Sequence, residues 1–139
     1  MGRRLAFGTD ETTPLTIALV QDLRAQGHQV EVVADGDDWP QAGRAVGRAV
    51  ASGRAEVGLV CCHTGTGVAM AANKVPGVRA ALCTDGPTAE GARRWNDANV
   101  LAFGLRLTTG AVAAELVAAF LDTPFDPEEA ALVAQVEPG

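Results

Sequence analysis

Residues 58–74, GLVCCHTGTGVAMAANK, gather the chain's densest set of side chains able to do chemistry. An apolar run ends in Cys61, Cys62 and His63. Thr64, Gly65, Thr66 and Gly67 then lead into a helical pattern. Thiols and an imidazole move protons or attack carbons. Small residues let the backbone approach a ligand, and N–H groups at a helix start favour an anion or an oxyanion formed during reaction. A tight turn with no ligand is the plain alternative. A dinucleotide fingerprint would need G-x-G-x-x-G on the first strand–helix turn. Here Gly65 and Gly67 follow the third expected strand, and Met70 occupies the last glycine position. The Gly-Lys-Ser/Thr of a P-loop is absent.

Cys62 ends a strand just ahead of a helix start, where oriented amides favour a thiolate able to act as base or nucleophile. Successive strand side chains point to opposite faces, so Cys61 should face away from Cys62 and pack as a small hydrophobe. Cys83, at another strand end, reads as core filler. Adjacent cysteines rarely reach one metal and there is no C-x-x-C, so no zinc site is expected from Cys61, Cys62, His63 and Cys83. His28 falls in a turn after the first helix, far from such a site. His63 is then the only other histidine available for acid–base work.

The elements that position these groups follow from periodicity. Apolar runs predict strands over 4–8, 29–34, 56–62, 77–83 and 99–104. Helical spacing predicts helices over 14–27, 39–53, from 66, over 87–98 and over 108–123, with a short one in the tail. Thr12 or Thr13 caps the first, and Thr108 or Thr109 the fifth. Strand–helix repeated five times implies a parallel sheet covered on both faces, an α/β three-layer α/β/α sandwich. Ligands of such sheets bind beyond the carboxyl ends of the strands. That rule selects the loops Gly8–Glu11, Asp35–Trp39, Cys61–Gly67, Cys83–Gly86 and Gly104–Arg106.

With 139 residues the chain fits one domain, with a short tail from about 124. A formal charge of −6 with scattered arginines argues against nucleic-acid binding. MGRRLAFGTD has a three-residue apolar run, too short for a signal peptide, and no segment reaches a membrane span. Three cysteines, two of them adjacent, are no disulfide framework and suit a reducing cytoplasm.

LAFGTDE, CHTGTGVAMAANKVPGVRAALC and RRWNDANVLAFGLR resemble the ribose-5-phosphate isomerase B / galactose-6-phosphate isomerase family, in one register over residues 3–121. The resemblance implies a Rossmann-like sandwich with a five-stranded parallel sheet and a homodimer, or a tetramer, with sites built from both subunits. It implies isomerisation of a sugar phosphate through a cis-enediolate, without metal or cofactor. Carried over by position, Cys62 is the base, and the amides from His63 to Gly67, with Gly65 and Thr66 between, stabilise the enediolate oxygens. Asp10 binds substrate hydroxyls, Thr64 supports the turn, Asn96 hydrogen-bonds the substrate, and Arg106 contacts the phosphate. Asp38-Trp39-Pro40 stands for the family's Asp-Tyr-Pro, which puts Trp39 at the site.

The departures matter as much. Glu11 stands where the family has histidine, and Trp95 where it has the ring-opening histidine. His63 replaces a glycine. The tail FDPEEAALVAQVEPG has no Lys, Arg or His, where the family carries phosphate-binding arginines. Together these predict an isomerase for which ribose 5-phosphate is not the preferred substrate, acting on a short open-chain sugar or sugar phosphate. A non-catalytic partner subunit or binding protein of the same fold is the alternative. A thiol redox enzyme would need a resolving thiol near Cys62, such as Cys83.

Overall fold

The computed structural model describes residues 2–137, so the last two tail residues lie outside the described part. Five strands alternate with helices: β1 Arg4–Thr9, α1 Pro14–Ala25, β2 Gln29–Asp35, α2 Trp39–Ala51, β3 Val57–Cys62, α3 Thr66–Asn73, β4 Ala80–Leu82, α4 Gly86–Asn96, β5 Val100–Gly104 and α5 Gly110–Asp122. The tail adds a 3-10 turn, Pro127–Glu129, and a short α6, Ala130–Ala134. Four helices start under a side-chain cap. Thr13 accepts from the Thr16 N–H (3.2 Å), Asp38 from Gln41 (3.1 Å), Asp85 from Thr88 (2.8 Å) and Thr109 from Val112 (3.2 Å). Prolines at the first turns of α1, α2 and α4 need no N–H partner there.

The sheet is parallel, in the order β2-β1-β3-β5-β4. Leu5, Phe7, Leu59, Cys61, Leu101 and Phe103 pack beneath α1, α4 and α5. Val60, Cys62, Val100 and Ala102 pack beneath α2 and α3 on the other face. The two faces read by strand alternation are therefore those observed, and Cys61 and Cys62 separate as expected. Cys83 shares the Cys61 face, so it is no resolving thiol for Cys62. Glycine sets the spacing on the α2 side. A Cβ on Gly58 would fall 2.4 Å from Val46 Cγ1, and one on Gly43 2.6 Å from the Ala71 Cβ.

β4 is shorter than the 77–83 expected. Gly77 turns with φ +88°, and the Arg79 N–H goes to the Asn99 side chain (2.8 Å) instead of a strand neighbour. Asn73 acts as a substitute strand on the exposed edge: it accepts from the Ala80 N–H (2.7 Å) and donates to the Ala80 carbonyl (2.9 Å).

Candidate active site

β3 lies at the centre of the sheet, and its carboxyl end carries Cys62 opposite Gly104 of β5. The Cys62 sulfur is buried and accepts the N–H of Gly65 at 3.3 Å. That geometry needs glycine twice. Gly65 has φ +80°, and a Cβ there would meet Leu82 Cδ1 and the Phe103 carbonyl carbon, both at 2.6 Å. A Cβ on Gly104 would lie 2.5 Å from the Thr64 carbonyl oxygen. The turn is thus pressed directly onto the β5 backbone.

Unlike the four capped helices, α3 begins at Gly65 with no side-chain cap. The Ala69 N–H is the first to reach the carbonyl of Gly65 (3.2 Å), which leaves Thr66, Gly67 and Val68 as uncapped donors at the helix start. The Thr64 and Thr66 hydroxyls bond each other at 2.8 Å beside them. Trp39, first residue of α2, lays its ring on Gly67, where a Cβ would fall 2.8 Å from a ring carbon. It keeps 45% of its surface exposed beside the turn.

Across the sheet, β1 ends at Asp10 and Glu11. The buried Thr9 hydroxyl donates to the Glu11 carbonyl (2.7 Å) and accepts the Glu11 N–H (3.2 Å), which tightens the loop. Asp10 Oδ1 is buried with no hydrogen-bond partner among the described residues. Burial, then the neighbouring Glu11 charge, raise the Asp10 carboxyl above its ordinary value; a smaller pull from His63 works the other way. His63 is exposed, and its carbonyl accepts the Arg106 N–H at 2.9 Å. Arg106 is exposed and makes no ion pair among the described residues. The other two thiols are set apart from this chemistry. Burial pushes Cys61 up to about 12 and Cys83 up to about 11.

One chain brings Cys62, His63, Thr64, Gly65, Thr66, Gly67, Asp10, Glu11, Trp39 and Arg106 to one edge. It does not bring Trp95 and Asn96 there. α4 runs back from the carboxyl edge, so its 11 residues carry them towards the amino ends of the strands. Trp95 folds back over Gly91, and Asn96 lines the clefts on either side of β4. Behind Asn96, Asp97 (φ +47°) is held by Arg79 (3.3 Å) and Arg93 (3.0 Å). His28 is remote, as expected, but it is half-buried and accepts the Arg3 N–H at 3.1 Å. Leu82 and Gly104, which hold the turn in place, carry no chemical group that sequence could single out.

An uncapped helix start, a buried thiol and a carboxylate oxygen without a hydrogen-bond partner among the described residues thus meet on the carboxyl edge of a parallel α/β/α sandwich. The chain belongs to the Ribose/Galactose Isomerase family, whose model matches residues 5–136. It is 36% identical over 131 residues to ribose-5-phosphate isomerase B of Escherichia coli, covering 89% of this chain and 87% of that one. It is 37% identical over 114 residues to D-erythrulose-4-phosphate isomerase 2 of Mycolicibacterium smegmatis, covering 82% and 72%. The crystal structure of a ribose 5-phosphate isomerase from Thermotoga maritima superposes with a TM-score of 0.91 at 29% identity, covering 99% of each chain.

Proposed function

We propose that this chain is an aldose–ketose isomerase that works through a cis-enediolate, with the Cys62 thiolate as base. The thiolate takes the proton from the carbon next to the carbonyl. The electron pair of that C–H bond moves onto the carbonyl oxygen, and the N–H groups of Thr66, Gly67 and Val68 receive the charge. The thiol then returns the proton to the former carbonyl carbon. A hydroxyl proton passes between the two substrate oxygens, with His63, the only histidine at this edge, and the Thr64 hydroxyl beside it to relay it. Asp10 Oδ1, unpartnered among the described residues, accepts a substrate hydroxyl. The observation that carries this reading is the Cys62 sulfur seated on the Gly65 amide directly below the uncapped start of α3.

The substrate is a short open-chain sugar or sugar phosphate, not ribose 5-phosphate. Trp95 stands in place of the imidazole that opens a ring, and a four-carbon ketose phosphate such as that in the Mycolicibacterium relative's name has no ring to open. The site is shared in a homodimer, with a tetramer as a further assembly. Asn96 and Trp95 lie on the β4 edge of their own chain, and a second copy there delivers them to the Cys62 mouth. Three unpaired cysteines suit a reducing cytoplasm.

The test is deuterium incorporation from heavy water at the carbon beside the carbonyl, across open-chain tetroses, pentoses and their phosphates, in the wild type and in Cys62→Ala. Exchange that survives in the variant would sink the cysteine mechanism. Silence across the panel, with a second related chain co-purifying, would make this chain the non-catalytic subunit instead.

A further inference from the structure

Residues 124–139 hold no Lys, Arg or His, so they cannot supply the phosphate-binding arginines that the family resemblance implies for the tail. They are nevertheless held in place. None of residues 124–137 is buried, and Leu132 of α6 stays 63% exposed, so core packing does little to fix them. Polar bonds near the two ends do, and both meet the segment that carries Asn96. At the near end the Asp126 N–H donates to the Arg94 carbonyl at 2.9 Å, one of the four carbonyls that α4 leaves without a helical partner. At the far end Glu137 accepts from Arg79 Nη1 at 2.7 Å. Arg79 spends the rest of its guanidinium on Asp97, the residue after Asn96. Its Nε donates to the Asp97 carbonyl at 2.8 Å, and its Nη2 donates to Asp97 Oδ2 at 3.3 Å. Arg93 Nη1 takes the other carboxylate oxygen at 3.0 Å, and its Nε donates at 3.4 Å to the carbonyl of Thr123, where the tail leaves α5. Asp97 needs these partners. Among the described residues it alone, glycines aside, has a positive φ (+47°), and such a conformation persists where its surroundings over-determine it. Arg79 is a long side chain with much rotamer freedom to lose, and Glu137 immobilises it. Asn96, Arg79 and Glu137 line one cleft of about 410 Å³ beside β4, so the tail's end and the substrate-binding side chain share its walls.

We propose, resting on the isomerase reading and its shared site, that the tail is a strap that positions Asn96 for the mouth of the other copy. Glu137 and Arg79 are its positioning residues, and they act through Asp97. Releasing the strap spreads Asn96 over other placements, and substrate binding weakens by the competent fraction lost. Proton transfer at Cys62, on the other copy, keeps its rate once substrate is bound.

The experiment uses Glu137→Gln in the full chain, which keeps the side chain's size and removes its charge. With a sugar that the wild type isomerises, KM should rise about threefold to fivefold, the upper range for a partly exposed ion pair, while kcat holds. Hydrogen exchange over residues 94–99 of the native oligomer, read by mass spectrometry, should quicken while that of β3 stays unchanged. Mixed dimers then locate the effect. Cys62→Ala and Asn96→Ala chains refolded together form one working site, with Cys62 from one chain and Asn96 from the other. Glu137→Gln on the Cys62→Ala chain, which supplies Asn96, should raise KM. On the Asn96→Ala chain it should not. An unchanged KM, or a KM raised equally by both placements, would overturn the strap and leave the isomerase reading standing. A wild type inactive on every sugar would remove the isomerase reading. Faster exchange over 94–99 in Glu137→Gln would still uphold the bracing of that segment, and unchanged exchange would overturn it.

Discussion

Asp10 shows how a single residue can trade stability for function. Its carboxyl is raised by burial and by Glu11, so the folded state holds its proton more tightly than the unfolded chain does. For a raised carboxyl the sign is a penalty. It is absent below the unfolded value, grows as pH rises through the folded value, and is fully present above it. Asp10→Asn should therefore raise the melting temperature at neutral pH, and the gain should vanish as pH falls through the carboxyl's range. The same variant should lower isomerase activity, because a neutral amide oxygen accepts a substrate hydroxyl less strongly than a carboxylate does. A melting curve that is lower at pH 7, or a gain that persists in acid, would contradict this. The three thiols should also divide. With Cys61 and Cys83 pushed up to about 12 and about 11, both stay protonated near neutrality, so iodoacetamide should modify Cys62 first, as peptide mapping would show.

At the scale of the element, the turn between β3 and α3 is the feature that converts fold into site. Gly65→Ala should cost about 1–3 kcal/mol from backbone strain alone, with more from the clash against Phe103 and Leu82. Urea unfolding would measure it. Thr109→Ala, which removes only the cap of α5, should cost about 1 kcal/mol and leave activity intact. Most elements were legible because strand alternation and cap residues are local signals. Thr13 and Thr109 cap α1 and α5, two of the four residues offered for that role. The alternation at Cys61 and Cys62 correctly assigned them to opposite faces. β4 was overlong in the sequence because Val78 and Arg79 look strand-like, while their backbone is spent on a turn and on Asn99. The site was legible only where residues lie at strand ends. Leu82 was invisible, and Gly104 was reached only as the start of a selected loop, because the role of both is shape, fixed by contacts distant in sequence.

At the scale of the whole molecule, the direction of α4 decides what one chain can and cannot do. It returns Trp95 and Asn96 to the far end of the sheet, so under the proposed function a second copy supplies them to the site. Complementation reads this directly. Cys62→Ala and Asn96→Ala should each be inactive alone. Unfolded and refolded together in equal amounts, they should recover about a quarter of wild-type activity, since half the dimers are mixed and each holds one intact site. No recovery would place Asn96 outside the reaction or the site within one chain. Among the described residues no helix is long and apolar enough to cross a membrane.

The measurement closest to the central claim is proton exchange at the carbon beside the substrate carbonyl, followed by NMR in heavy water. The wild type should exchange it with at least one open-chain sugar. Cys62→Ala should be slower by a factor on the order of 10²–10⁴, the usual contribution of a positioned base, with its melting temperature preserved. Exchange at the wild-type rate in a folded Cys62→Ala protein would contradict the account.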